Sequence, residues 1–255
     1  MFKKRLDKIR PLLRSDMPFV ENNRYFNFLS PDIKNQFNIH NTKEISNHQY
    51  GNDVLPMIEE ISKQNGIIID IGAGSKKKLH DNVFNLEIVP YASTDILCVG
   101  EILPFVDNSI DGIISIAVLE HVKDPFRCAD EMIRVLKPGG KLYCVVPFLQ
   151  PMHAYPNHYY NMTKQGLQNL FDDHLIIDNI ECFKNLYPIW VLSWFLNSWA
   201  NGLDNPIRHR FLDMKVRDLM RDPKTYLNMD FVKNLSSEKN SELASAHALT
   251  AHKPL

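Results

Sequence analysis

Ile67-Ile68-Ile69-Asp70-Ile71-Gly72-Ala73-Gly74 is the stretch that decides the fold of this 255-residue chain. Before its glycines it is apolar at every position except Asp70, which is typical of a strand buried on both faces of a parallel sheet. The two glycines let backbone N–H groups approach a ligand closely, because no Cβ atom stands in the way. Open α/β sheets bind ligands at the carboxyl ends of their strands, so a ligand site is predicted here. A plain strand-to-helix turn would use the same glycines.

The composition is that of an ordinary globular enzyme, with 44% hydrophobic residues, 23% charged residues and a net charge of −1. This charge gives no general attraction to nucleic acid. The four cysteines form no Cys-x-x-Cys pair, which favours a reduced, cytoplasmic protein. Residues 1–14 are basic but lack the apolar stretch of a signal peptide. The longest apolar segment, Ile189 to Ala200, is too short to span a bilayer.

Buried strand patterns alternate with helix patterns through the centre of the chain. Strands are predicted at 66–71, 83–88, 93–99, 112–118 and 141–146, and less regular ones at 175–182 and 243–252. Helices are predicted at 53–63 and 163–171, and from Asp124, a helix-capping residue, to Leu136. This alternation predicts an α/β fold with a doubly wound, mostly parallel sheet.

Four regions follow from these patterns. Residues 1–49 are a polar N-terminal extension, and residues 50–187 form the core domain. Residues 188–232 read as a helical insertion that is rich in aromatic and basic residues, and residues 233–255 are expected to complete the core sheet.

Five short motifs occur in a characteristic order: Asp70-x-Gly72-x-Gly74, Glu87 at a strand end, Leu103-Pro104-Phe105, Leu119-Glu120-His121-Val122, and Leu136-Lys137-Pro138-Gly139-Gly140. With this set the chain resembles the class I S-adenosylmethionine-dependent methyltransferases, specifically the type 11 branch, over roughly residues 50–173. The resemblance implies a seven-stranded Rossmann-like sheet and S-adenosylmethionine as the cofactor.

The resemblance also implies roles for individual residues. Asp70 and the backbone of Gly72, Ala73 and Gly74 would hold the methionine end of the cofactor, and Glu87 would bind both ribose hydroxyls. An ionised carboxylate accepts two charge-assisted hydrogen bonds from such a diol, each worth about 1.5–3 kcal/mol. The remaining implied contacts to the cofactor are Gly100, Glu101 and Ala117.

Two residues depart from the family pattern. Lys76 stands where a third glycine is usual, and Val99 stands where an Asp often receives the adenine amino group. The crossover between Gly74 and Glu87 leaves room for a helix of only one or two turns. These departures favour the alternative reading, a non-catalytic methyltransferase-like binding or assembly protein.

A nicotinamide-binding Rossmann domain is excluded by the same stretch. Its fingerprint requires a third glycine where Lys77 stands. In addition, Asp70 would lie near a pyrophosphate and repel it.

The acceptor side is expected in the segment Pro147–Thr163, which is dense in His, Tyr and Pro and should cover the methyl group. The acceptor is predicted to be a hydroxyl oxygen of a small molecule or of a sugar in a glycan, and a positioned base would contribute roughly 10²–10⁴-fold. His153 and His158 are the first candidates for that base, followed by Tyr155 and His121. The alternatives are that these aromatics pack a surface loop, and that Glu120-His121 holds the following helix. No metal site is predicted, since the histidines lack the usual ligand spacing.

All three tryptophans lie between Ile189 and Ala200. The simpler explanation is a helix packed on the sheet or on a dimer mate, and the alternative is insertion at a membrane interface. Basic residues near the N-terminus and through residues 208–224 suit an anionic surface. A cytoplasmic protein with peripheral membrane contact through residues 188–224, and with a lipid-linked or glycan acceptor, is therefore a hypothesis. Nucleic acid is not expected as a partner, because no basic and aromatic stripe lies beside the predicted pocket.

Overall fold

The computed structural model describes residues 2–40, 46–47, 49–153, 157–247 and 249. The chain divides into two compact units, of which the first comprises Met1–Phe148 with Ala154–Glu181 and the second comprises Leu149–His153 with Cys182–Leu255. Helices of the first unit are α1 (Phe2–Ile9), α2 (Pro31–Gln36), α3 (Leu55–Lys63), α4 (Pro125–Val135) and α5 (Lys164–Gln168). Helices of the second are α6 (Pro188–Asn201), α7 (Asn205–Leu212), α8 (Asp230–Lys233) and α9 (Ser237–Glu242).

The first unit is built on a seven-stranded sheet. Its strands are β1 (Val20–Glu21), β2 (Phe26–Asn27), β3 (Ile68–Ile71), β4 (Val83–Glu87), β5 (Ile96–Leu97), β6 (Ile110–Ile116) and β7 (Leu136–Val145). They lie in the order β1-β2-β5-β4-β3-β6-β7, and every pair is parallel except β1 with β2. The predicted α/β fold with a mostly parallel, seven-stranded, Rossmann-like sheet is confirmed.

Helices cover both faces of this sheet. Ile58 and Ile61 of α3 pack with Ile68 of β3 on one face. Leu6 of α1 and Met132 of α4 belong to the larger core cluster on the other face. Helix α4 begins as predicted, since the Asp124 side chain accepts a hydrogen bond from the Arg127 backbone N–H (3.0 Å).

A buried ion pair ties α1 to the sheet. Arg5 donates from Nε and Nη2 to the two carboxylate oxygens of Asp95, at 3.0 and 2.8 Å. The same guanidinium donates to the backbone carbonyls of His80 and Val83. Arg5 is 5% exposed and Asp95 is fully buried. This fork of hydrogen bonds fixes the N-terminal helix across β4 and β5.

The second unit has its own apolar core. Ala200, Phe211 and Phe231 are buried in one cluster, and the Trp199 indole stacks on Phe211 with ring centroids 6.1 Å apart. The helical character predicted for residues 188–232 is thus found in α6, α7 and α8, with two 3₁₀ turns at Val216–Leu219 and Pro223–Thr225.

Two predicted strands are wrong within the described residues. Residues 175–182 are not extended into a strand, and Ile176 is 94% exposed, so its apolar side chain finds no sheet to cover. Residues 243–247 form no strand and follow α9 in the second unit, so the described part of 233–255 does not complete the core sheet. The sheet has seven strands because β1 and β2 of the N-terminal extension join it instead.

The crossover from β3 to β4 contains no helix, although the sequence leaves room for one of one or two turns. Residues 75–82 form turns without a helix, because the chain must return to the start of a parallel strand within a few residues. Within the described residues, no helix has the length and apolar character needed to cross a membrane.

Candidate functional site

The site lies at the carboxyl ends of β3, β4 and β5, and Asp70 is its most buried charged group. The side chain of Asp70 is fully buried. Its Oδ2 accepts a hydrogen bond from the Tyr50 hydroxyl (2.6 Å) and lies 3.2 Å from Nζ of Lys76. Among the described residues, Oδ1 of Asp70 has no hydrogen-bond partner. A buried carboxylate oxygen without a partner is costly, so it indicates a missing donor at this position.

Lys76 reaches into the same site. Its side chain is only 1% exposed, and its Nζ lies 4.3 Å from the centroid of the Tyr50 ring. Burial raises the pKa of Asp70 and lowers the pKa of Lys76, while the charge of each partner opposes the shift of the other. The site therefore contains a buried pair of opposite charges, which the glycine expected at position 76 could not supply.

The turn after β3 can only be made with glycine at two positions. Gly72 and Gly74 have φ of +62° and +67°. A Cβ on Gly72 would lie 2.6 Å from Val118 Cγ2, and one on Gly74 would lie 2.9 Å from the Ser46 carbonyl oxygen. Ala117, at the end of β6, also has a positive φ of 55°. The backbone here is held in a conformation that brings its N–H groups close to neighbouring groups.

Glu87 ends β4 and faces this turn. Its Oε1 accepts a hydrogen bond from the Gly74 N–H (2.5 Å), and its Oε2 accepts one from the Ile88 N–H (3.0 Å). Burial raises the pKa of Glu87 to about 7. Each carboxylate oxygen has two acceptor sites, so the side chain can still accept hydrogen bonds from a ligand.

Strand register places these groups on one face of the sheet. Asp70 lies opposite Asn85, two residues before Glu87, and Glu87 lies opposite Leu97, which lies opposite Asn27. Side chains that are paired across strands, or two residues apart along a strand, point to the same face. Asp70, Glu87, Leu97 and Asn27 therefore follow one another across the edge of the sheet.

A cavity of about 310 Å³ lies at the far end of this row. It is bounded by residues that follow β4 and by residues of the N-terminal extension: Tyr25, Asn27, Leu29, Lys34, Ile39, His40, Ile88, Val89, Pro90 and Leu97. Sequence reasoning missed this contribution of residues 25–40, because the extension shows no motif.

Glu101 and Gly100 make contacts with α4 and with the residues just before it. The Glu101 carboxylate accepts from the backbone N–H of Lys123 (3.1 Å) and from that of Asp124 (3.4 Å), and so supports the start of α4. A Cβ on Gly100 would lie 2.5 Å from the sulfur of Cys128. Their contact with a cofactor stays a prediction.

His121 and His158 are brought together after β6. Their ring centroids are 5.7 Å apart, and Nδ1 of His121 lies 2.5 Å from the Asn157 carbonyl oxygen. The Tyr159 N–H donates to the Glu120 carbonyl (2.7 Å), which holds this segment against the end of the strand. Since a carbonyl only accepts, Nδ1 of His121 is the donor in this contact, and in a neutral imidazole Nε2 then carries the lone pair.

The complete burial of Glu120 is a feature that the sequence does not reveal. Its carboxylate is fully buried, and both oxygens are without a hydrogen-bond partner among the described residues. Nε2 of His121 is 3.7 Å from Oε1, beyond hydrogen-bond distance. Burial raises the pKa of Glu120 to about 8. Only its place beside His121 hinted at this, because burial depends on the surrounding fold.

The other two candidate bases are His153 and Tyr155. His153 belongs to the second unit, where its ring lies 5.3 Å from that of Trp194 and its Nδ1 lies 3.0 Å from the Pro151 carbonyl oxygen. Tyr155 lies outside the described residues. Both stay predictions.

Comparison with known proteins gives matches to parts of the chain. A family model described as "Methyltransferase domain" matches residues 54–144, from α3 to β7. An uncharacterized methyltransferase of Mycolicibacterium vanbaalenii is 49% identical over 49 residues, which are 19% of each chain. One of Mycobacterium leprae is 43% identical over 53 residues, 21% of this chain and 20% of that protein. The chain thus spans about a fifth of the length of these curated relatives.

Solved structures are similar at low identity. An S-adenosylmethionine-dependent methyltransferase from Mesorhizobium loti is 14% identical, with a TM-score of 0.38 over 56% of this chain and 90% of that chain.

Proposed function

Because residues 54–144 match a methyltransferase family model, we propose that this chain belongs to the type 11 branch of the class I S-adenosylmethionine-dependent methyltransferases and that it transfers a methyl group from S-adenosylmethionine to a hydroxyl oxygen. The acceptor that we propose is a small molecule or a sugar. The observation that carries the proposal is the row of Asp70 and Glu87 beside the two glycines with positive φ.

The residues present fit this cofactor. The unpartnered Oδ1 of Asp70 suits the ammonium group of the methionine end, and the Gly72–Gly74 backbone allows close approach. Glu87 retains acceptor sites for the ribose hydroxyls. The cavity that begins at Ile88 suits a flat base, because its walls combine apolar side chains such as Leu29 and Leu97 with polar ones such as Asn27.

When bound, S-adenosylmethionine supplies a methyl group on a positively charged sulfur, which needs little further activation. The chain must align the acceptor and remove its proton. We assign proton removal to Nε2 of His121, whose ring is oriented by the Asn157 carbonyl. His158, which contacts Asn161 through Nε2 (2.9 Å), lies within reach of the same acceptor region and remains the second candidate.

Calorimetric titration with S-adenosylhomocysteine, the demethylated cofactor, tests the proposal. We expect a micromolar dissociation constant, followed by S-adenosylhomocysteine release when S-adenosylmethionine is incubated with hydroxyl acceptors. Absence of binding would overturn the proposal and favour the non-catalytic binding protein.

The same titration should depend on pH through Glu87. Its pKa of about 7 means that the carboxylate is mostly protonated at about pH 6 and mostly ionised at about pH 8. Because the ionised form accepts the stronger hydrogen bonds, affinity should rise up to about tenfold across this range. Glu87→Gln should remove the dependence and Glu120→Gln should retain it. An unchanged slope in Glu87→Gln would contradict the assignment.

We also propose peripheral contact of the second unit with an anionic membrane. Ile189 and Trp190 on α6 are 63% and 64% exposed, and no Asp or Glu occurs from Cys182 to Leu203. Exposed tryptophan on an uncharged helix is favoured at a membrane interface. Sedimentation with phosphatidylglycerol vesicles should capture the protein, and the double variant Ile189→Ser with Trp190→Ser should stay in solution. Val20→Ser, equally exposed at 68%, is the matched control, and vesicle binding that survives the double variant would exclude this surface.

A further inference from the structure

We propose that Lys76 binds the carboxylate of the cofactor's amino-acid end while Asp70 binds its ammonium group, so that the two side chains together recognise a zwitterion. This inference rests on the proposed function and adds to it a residue that selects the cofactor. The class of ligand it specifies is an S-adenosyl amino acid, as opposed to a nucleoside thioether without the amino-acid end.

The first support is where the Lys76 side chain lies. It is 1% exposed, and its Nζ stands 3.2 Å from Oδ2 of Asp70, at the end of the β3 turn. A lysine with an exposed backbone would normally extend its ammonium into water. Here the backbone is itself fixed to the turn, because the Lys76 N–H donates to Ser93 Oγ (3.0 Å) and that hydroxyl donates to the Gly74 carbonyl (3.3 Å).

The second support is the arrangement of charge around the pair. Oδ2 of Asp70 accepts a hydrogen bond from the Tyr50 hydroxyl and pairs with Nζ of Lys76, while Oδ1 has no hydrogen-bond partner among the described residues. A second cation can therefore join Asp70 at Oδ1 without displacing the first. In an amino acid the ammonium and the carboxylate are attached to the same carbon, so an ammonium at Asp70 brings a carboxylate near Lys76.

A purely structural ion pair is the competing explanation. A buried pair is weak evidence of a contribution to stability, because desolvation of both charges offsets their attraction. The two explanations differ in what they predict for ligands, since a structural pair has no preference between a ligand with a carboxylate and one without.

The test uses calorimetry on the full chain with three ligands: S-adenosylhomocysteine, its decarboxylated analogue and methylthioadenosine, which lacks the whole amino-acid end. The wild-type protein should bind S-adenosylhomocysteine about 10- to 100-fold more tightly than the decarboxylated analogue, as expected for one charge-assisted hydrogen bond. In Lys76→Met this ratio should fall to about one, and the affinity for methylthioadenosine should stay unchanged. Lys78→Met, an exposed neighbour, is the control and should keep the wild-type ratio.

The outcomes separate the two proposals. A ratio near one in the wild-type protein, or a ratio that survives in Lys76→Met, would overturn the role of Lys76. Failure of all three ligands to bind the wild-type protein would overturn the proposed function instead. If thermal melting shows that Lys76→Met does not fold, Lys76→Gly carries the same expectation, because it removes the charge and lets water reach Asp70.

Discussion

Replacing His121 with alanine is expected to lower the turnover number by about 10²- to 10⁴-fold, the usual contribution of a positioned base. The reason is that Nδ1 of His121 donates to the Asn157 carbonyl, which leaves the lone pair on Nε2 to accept the acceptor's proton. The affinity for S-adenosylhomocysteine should not change, because His121 is absent from the row that holds the cofactor. Turnover is measured as S-adenosylhomocysteine release, and affinity is measured by calorimetry.

His209→Ala provides the matched control. His209 also places Nδ1 against a backbone carbonyl, that of Asn205 at 2.8 Å, but it lies exposed on α7. Its replacement should leave turnover at the wild-type level. If His121→Ala keeps wild-type turnover while His158→Ala or His153→Ala loses it, the base is one of those residues and our assignment is wrong.

Replacing Arg5 with methionine is expected to lower the free energy of unfolding by about 3–5 kcal/mol. Asp95 is fully buried, and without the guanidinium its charge would remain in the core with only the Asn85 N–H (2.8 Å) as a donor from this network. The carbonyls of His80 and Val83 would lose a donor in the same step. Urea unfolding followed by circular dichroism measures the change.

Arg10→Met separates burial from charge. Arg10 pairs with Glu21 at 2.5 Å, but both side chains are more than two-fifths exposed. An exposed pair contributes at most about 1 kcal/mol, so Arg10→Met should be nearly neutral. Equal losses of unfolding free energy in the two variants would show that the buried Arg5–Asp95 pair stabilises the fold no more than an exposed pair does.

The central elements could be predicted because their signals are local. The isoleucine run of β3 and the cap of α4 by Asp124 each depend on residues within a few positions. In contrast, β1 and β2 have two residues each. β1 pairs with β2, and β2 pairs with β5, which lies about 70 residues away along the chain. A strand of two residues has no periodicity to detect. Conversely, the pattern of residues 175–182 does not show whether a sheet lies beside them.

In the site, the backbone was more predictable than the side chains. The need for glycine at positions 72 and 74 follows from the motif, and both have positive φ. The burial of the Lys76 side chain depends on Tyr50, and the complete burial of Glu120 depends on the segment 157–160. Both contacts are distant in sequence. Local pattern contains no information about such contacts.

The pairing of β2 with β5 also sets an order of events during translation. Phe26 leaves the ribosome about 70 residues before Ile96, its partner in the sheet. Arg5 likewise leaves it 90 residues before Asp95, its partner in the ion pair. At synthesis rates of about 5–20 residues per second, the N-terminal segment waits roughly 4–14 seconds for the strand that it will join. Its apolar residues, Phe26 among them, are exposed to solvent for that interval, so nascent chains of this protein should be clients of ribosome-associated chaperones.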